Sequence, residues 1–168
     1  MFERFTTEAR TAVVRAEDVA RTTGADRVGP VHLLLAVAAG AGTGADALRR
    51  AGLDPDQARR AAADLDGASL AALGVDLEQV RELAERTFGA GALDRPAHSG
   101  HLRFTEGAKR ALQEALRAAV ARGRRRLDDG SVLLGVLAVQ DAAVVAVLRD
   151  QRVDPRVVRD HLDGPRAA

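Results

Sequence analysis

The sequence predicts an all-α fold, built as two pseudo-twofold repeats of four helices with an extra helical insertion between them. Three observations predict it. First, the chain says nearly the same thing twice: Arg4-Phe5-Thr6 recurs as Arg103-Phe104-Thr105, an offset of 99 positions. At that offset Ala9, Ala12, Ala16, Ala20 and Gly24 meet Ala108, Ala111, Ala115, Ala119 and Gly123. Arg27 meets Arg126, Leu34-Leu35 meets Leu133-Leu134, and after a one-residue slip Asp54-Pro55 meets Asp154-Pro155. Second, hydrophobic residues make up 46% of the 168 residues, yet the only aromatics are four Phe, so Ala, Leu and Val must fill the core. Alanine has the best helix propensity, and small side chains let helices approach closely. Third, apolar residues recur at helical spacing, as in Ala9, Val13, Ala16 and Ala20. A doubled unit of this kind forms one domain, and the seam between its halves is the expected place for a ligand.

The elements follow in order. Thr6 and Thr105 have the residue type and position of N-caps, and the preceding Phe5 and Phe104 can staple the first turn. The first helix should run from Thr7 to about Thr22 and stop at Gly24; its copy carries Ala108, Leu112, Ala115 and Ala119 and stops at Gly123. The second helices, Val31 to Ala38 and Ser131 to Ala138, are apolar nearly all round, which marks central helices. Third helices are predicted from about Gly44 to Ala51 and from Ala142 to Asp150. The fourth start at Asp54-Pro55 and Asp154-Pro155, with Asp as cap and Pro at the first helical position. Repeat one thus covers 1–65 and repeat two 101–163, within a single domain of 1–168. Residues 66–100 have no counterpart; Leu77 to Phe88 reads as an amphipathic helix and Gly89 to Gly100 as a connector.

Composition excludes several functions. The formal net charge of +1 argues against a dedicated polyanion binder. Arginine supplies nearly all the positive charge, with Lys109 the only lysine, a bias expected of a GC-rich genome. The absence of cysteine removes disulfide and thiolate chemistry. No signal peptide and no apolar run of the ~20 residues that span a bilayer is present, so a soluble, cytoplasmic protein is expected. His98 and His101 have metal-like spacing but no cysteine or nearby acid, so no metal is expected there. His32, on an apolar helix, reads as a satisfied core histidine, and His161 as solvated. The basic run Arg122 to Arg126 reads as a solvated helix end. With no G-x-x-x-x-G-K-[ST], G-x-S-x-G or H-E-x-x-H, the chain lacks any nucleotide or protease constellation; no enzyme and no cofactor are predicted.

Met1-Phe2-Glu3-Arg4-Phe5-Thr6 with Ala9-Arg10 and Val13-Val14 resembles the opening of Clp ATPase N-terminal domains, the ClpC class above all. Gly100-His101-Leu102-Arg103-Phe104-Thr105 with Ala108-Lys109 is similar to the start of that domain's second repeat. His32 to Leu35 and Val132 to Gly135 resemble its second-helix motif. The likeness covers the chain outside 66–100. It implies two four-helix repeats that recruit substrates and adaptor proteins to an ATP-driven unfoldase, here in a stand-alone form without the unfoldase modules. In some members a Gly-Thr-Glu-His motif before the second helix helps bind phosphorylated arginine through its Glu. Here Val31 and Gly130 stand where those acids should be, and a guanidinium needs a carboxylate partner. Phosphoarginine binding is therefore expected to be weak or absent.

The resemblance also implies a second site. In actinobacterial ClpC-class domains, cyclic-peptide antibiotics bind between the first helices of the two repeats. The matching residues are Phe2, Arg10, Val13, Val14 and Glu17, with Phe104, Lys109, Leu112, Gln113 and Leu116 from the second repeat. Gln113 replaces a glutamate of the family pattern. Together they form an apolar floor with Phe anchors and a mixed-charge rim. The expected function is a peptide- or protein-binding module, an adaptor or a decoy that sequesters ClpC-directed cyclic peptides. Its expected partners are peptides, protein substrates, and a ClpC-type unfoldase or its adaptors; a monomer is expected. The alternative is a helix-turn-helix-like nucleic-acid binder, which low net charge and the lack of a basic recognition helix oppose.

Overall fold

Helices that are apolar on every side must be covered on every side, and the two second helices take the centre. In chain order the elements are α1 (Thr7–Thr22), β1 (Arg27–Val28), α2 (Pro30–Ala38), α3 (Thr43–Arg50) and α4 (Pro55–Ala72). After them come β2 (Arg103–Phe104), α5 (Glu106–Ala121), α6 (Asp129–Ala138), α7 (Ala142–Asp150) and α8 (Pro155–Asp163). This computed structural model describes residues 4–72, 82, 86 and 101–163. The expected positions of Met1-Phe2, of the Gly89–Gly100 connector and of most of the Leu77–Phe88 helix lie outside the described residues. Glu82 and Arg86 are helical and paired at 2.7 Å, an i,i+4 contact.

Caps and stops fall where side-chain chemistry puts them. Thr6 Oγ1 accepts from Ala9 N at 3.3 Å and Thr105 Oγ1 from Ala108 N at 3.1 Å. Gly24 and Gly123 end the first helices with φ of +75° and +64°, the left-handed conformation that glycine adopts without Cβ strain. Asp54 caps α4 through Asp56 N and Gln57 N, both at 2.9 Å, and Asp154 accepts from Arg156 N at 2.8 Å. α4 continues beyond position 65 to Ala72.

The halves interlock. α1 lies on α2, α5 lies on α6, and α2 packs on α6. α3 of the first repeat then packs on α6 and α8 of the second, while α7 of the second packs on α2 and α4 of the first. Leu33, Leu34, Leu48, Val132, Leu133, Val136, Val144 and Val147, drawn from both halves, are fully buried in one cluster. Much of the seam is therefore core, each half completing the hydrophobic interior of the other, while an open depression between α1, the α2–α3 turn and Asp129 remains at its edge. Gly135 tightens the α5–α6 crossing, where a Cβ would stand 2.0 Å from Ala111 O.

Two short pairings join the repeats, and sequence reasoning did not foresee them. β1 pairs in parallel with β2, Arg27 opposite Arg103 and Val28 opposite Phe104. In the related position Phe5 bridges Leu127, with Leu127 N donating to Arg4 O at 2.7 Å and Thr6 N to Leu127 O at 2.9 Å. The Arg-Phe-Thr openings are thus strand ends as well as helix entrances. Their apolar members face inward, Val28 and Leu127 fully so, and their arginines stay exposed.

Candidate peptide-binding surface

α1 and α5 pack on the central helices rather than on each other, and Glu17 links α1 to the segment that leads into α5. Its carboxylate accepts from Arg21 at 2.6 Å, from Leu102 N at 2.9 Å, and meets His101 Nδ1 at 3.2 Å. The Arg21 guanidinium first, then the Leu102 amide, hold the Glu17 carboxyl at about 2, far below the ordinary 4.5. Glu17, read from sequence as a rim residue for a ligand, thus also joins the two repeats.

The other expected site residues divide by burial. Val13 is 5% exposed and belongs to the core. Leu112 and Phe104 are half-buried against that core, Phe104 also within the β1–β2 ladder. Outward-facing are Arg10 and Val14 on α1, and Lys109, Gln113 and Leu116 on α5. Val14 is 60% exposed and Leu116 42%, so both offer apolar surface to a partner. On α1, Arg10, Thr11, Val14, Arg15 and Asp18 line a shallow, open depression. Lys109 is held back by Glu106 at 2.6 Å, and this pairing lowers the Glu106 carboxyl. Phe2 lies outside the described residues. Sequence reasoning missed Val120, 64% exposed on α5; the spacing Leu112, Leu116, Val120, one residue every four, was its available signal.

At the positions of the absent acids the surroundings are partly packed. Gly130 is buried, and a Cβ there would stand 2.8 Å from Thr43 Oγ1 and 3.0 Å from Leu162 Cδ2. Val31 is half-buried against the core. The neighbouring carboxylates serve as caps: Asp128 accepts from Ser131 N at 2.8 Å and pairs with Arg124, while the buried Asp129 accepts from Gly44 N at 3.0 Å and Thr43 Oγ1 at 3.2 Å. Gly42 caps α3 without a side chain, so Asp129 supplies that cap from the other repeat.

His32 is a satisfied core histidine. Its Nδ1 accepts from Gly29 N at 2.8 Å and its Nε2 meets Thr23 Oγ1 at 3.3 Å, so both ring nitrogens are engaged between α1 and α2. Among the described residues no group of three or more His, Cys, Asp or Glu side chains could hold a metal, and no single helix is long and apolar enough to cross a membrane.

A family model described as "Clp repeat (R) N-terminal domain" matches residues 4–68 and 65–151. The chain is 30% identical over 162 residues to chaperone protein ClpC3, chloroplastic, of Oryza sativa subsp. japonica, covering 96% of the chain and 15% of that protein. It is 29% identical over 164 residues to chaperone protein ClpC1, chloroplastic, of Arabidopsis thaliana, covering 95% and 14%. It thus spans about 15% of the length of such relatives. Among solved structures, the N-terminal domain of the chaperone ClpD from Arabidopsis thaliana superposes with a TM-score of 0.65 at 19% identity, covering 96% of each chain. The Hsp104 N-terminal domain from Candida albicans does so with 0.63 at 13%, covering 98% of this chain and 93% of that one.

Proposed function

Because the chain belongs to the family of Clp repeat N-terminal domains, non-catalytic modules that bind substrates and adaptors of Clp unfoldases, we propose that it is a peptide reader that has kept one binding surface and lost another. The retained surface is the outward side of α1 and α5, and its proposed ligands are cyclic peptides of the kind directed at ClpC, or peptide segments of protein partners. Held by such a domain, a toxic peptide is sequestered from an unfoldase; a protein segment held there is delivered to one. The decoy role is the better supported of the two. One asymmetry carries this reading: Val14 and Leu116 remain exposed, while positions 31 and 130 have no carboxylate and a side chain at Gly130 would press on Thr43 and Leu162. A guanidinium-linked phosphate would find no acid at either position to bracket it.

Isothermal titration tests both halves of the proposal. A ClpC-directed cyclic peptide should give saturable heat, weakened about tenfold by Val14→Ser or Leu116→Ser through loss of apolar contact. Phosphoarginine should give none. Absence of heat from the cyclic peptide, or binding indifferent to both substitutions, refutes the retained surface; saturable phosphoarginine binding refutes the loss.

A further inference from the structure

The two ladder corners are related by the repeat, yet they differ in chemistry. At the first, Glu17 and Arg21 of α1 neutralise each other, and the chain at His101-Leu102 runs across them. At the second, the equivalent positions on α5 are Leu116 and Val120, both exposed. Asp26 beside Arg27 likewise becomes Arg125 beside Arg126. The Phe5–Leu127 bridge places Arg4 next to Arg126, and among the described residues none of Arg4, Arg125 and Arg126 is in an ion pair. Among the described residues, Asp128 is engaged by Arg124 and the Ser131 amide, and Glu114 by Arg117. Glu8, whose carboxyl is lowered chiefly by a backbone amide and Thr6, adds one exposed negative charge facing Arg126.

Like-signed arginines brought together by a strand pairing repel one another, and exposed leucine and valine gain nothing from water. Both costs are relieved by one kind of occupant. We propose that Leu116 and Val120, with Arg4, Arg125 and Arg126, form a docking surface for an acidic protein segment that carries interspersed apolar side chains. The apolar residues of such a segment cover the α5 ridge, and its carboxylates take the arginines, with bidentate geometry available to each guanidinium. The inference rests on the peptide-reading function proposed above and names the chemistry of a protein partner at the second-repeat end of that surface.

Fluorescence anisotropy with a labelled amphipathic Glu/Leu peptide, and its Gln/Leu and Lys/Leu counterparts, tests it on the full chain. The Glu/Leu peptide should bind at least about tenfold more tightly than the other two and weaken as salt is raised. Leu116→Ser/Val120→Ser and Arg125→Glu/Arg126→Glu should each reduce binding about tenfold or more, and Val157→Ser, exposed on α8, should not. All these positions are exposed, so unchanged thermal melts will show that the variants fold. Equal binding of the three peptides, or indifference to both double substitutions, overturns the proposal. Phosphatidylserine vesicles or random duplex DNA binding as well as the Glu/Leu peptide, regardless of Leu116 and Val120, also overturns it. A cyclic peptide that still binds the wild-type chain when the Glu/Leu peptide does not leaves the peptide-reading function standing; loss of both signals removes that function too.

Discussion

Glu17 shows how one side chain can be legible as polar, exposed-looking and helical, yet be structural. Folding gives its carboxylate a guanidinium and a backbone amide, so the ionised form is favoured and the carboxyl titrates at about 2 instead of 4.5. The stabilisation is complete above the unfolded value and is lost as pH falls from 4.5 towards 2. Glu17→Gln should cost about 1–2 kcal/mol at neutral pH, and the difference from wild type should vanish over that acid window in denaturant titrations. Arg152 supports a second prediction. Its φ is +54°, where the equivalent residue in the first repeat is Gly52 at +94°. Arg152→Gly should therefore raise stability or leave it unchanged, by about 0–1 kcal/mol in a thermal melt, as relief of left-handed strain offsets the added freedom of the unfolded chain.

At the scale of elements, α3 depends on a residue remote in sequence. Its cap position is Gly42, and the Asp129 carboxylate reaches across the repeats to the Gly44 amide and the Thr43 hydroxyl. Asp129→Ala should cost about 1–2 kcal/mol and loosen α3 selectively, visible as faster amide exchange at Gly44 to Ala47. The α5–α6 crossing is equally specific. Gly135→Ala would drive a methyl to within 2.0 Å of Ala111 O, so a loss of about 2–3 kcal/mol is expected in urea titration. No rotamer relieves that contact, because the obstructing atoms are backbone.

For the molecule as a whole, the consequence of interlocking is that each repeat completes its core against the other. α3 and α7 each pack on helices of the opposite half, and the ladders and the Glu17 link close the same seam. Fragments 1–72 and 101–168 should each lack a cooperative thermal transition alone and regain one when mixed, measured by circular dichroism. Cooperative unfolding of either fragment by itself would show that a half can bury its apolar surface unaided.

Sequence alone determined the repeat, the helices and their caps, because alanine stripes, Thr and Asp caps and C-terminal glycines act over a few residues and leave a local signature. Likeness at matched positions named a candidate surface, of which Arg10, Val14, Lys109, Gln113 and Leu116 are exposed and Val13 is buried. Only the tertiary structure decided that the two halves share one core, and that Glu17 joins them. The same holds for the two arginine-bearing ladders and the cap that Asp129 lends to α3. Each depends on residues dozens of positions apart meeting in space, and spacing within one helix carries no information about that meeting.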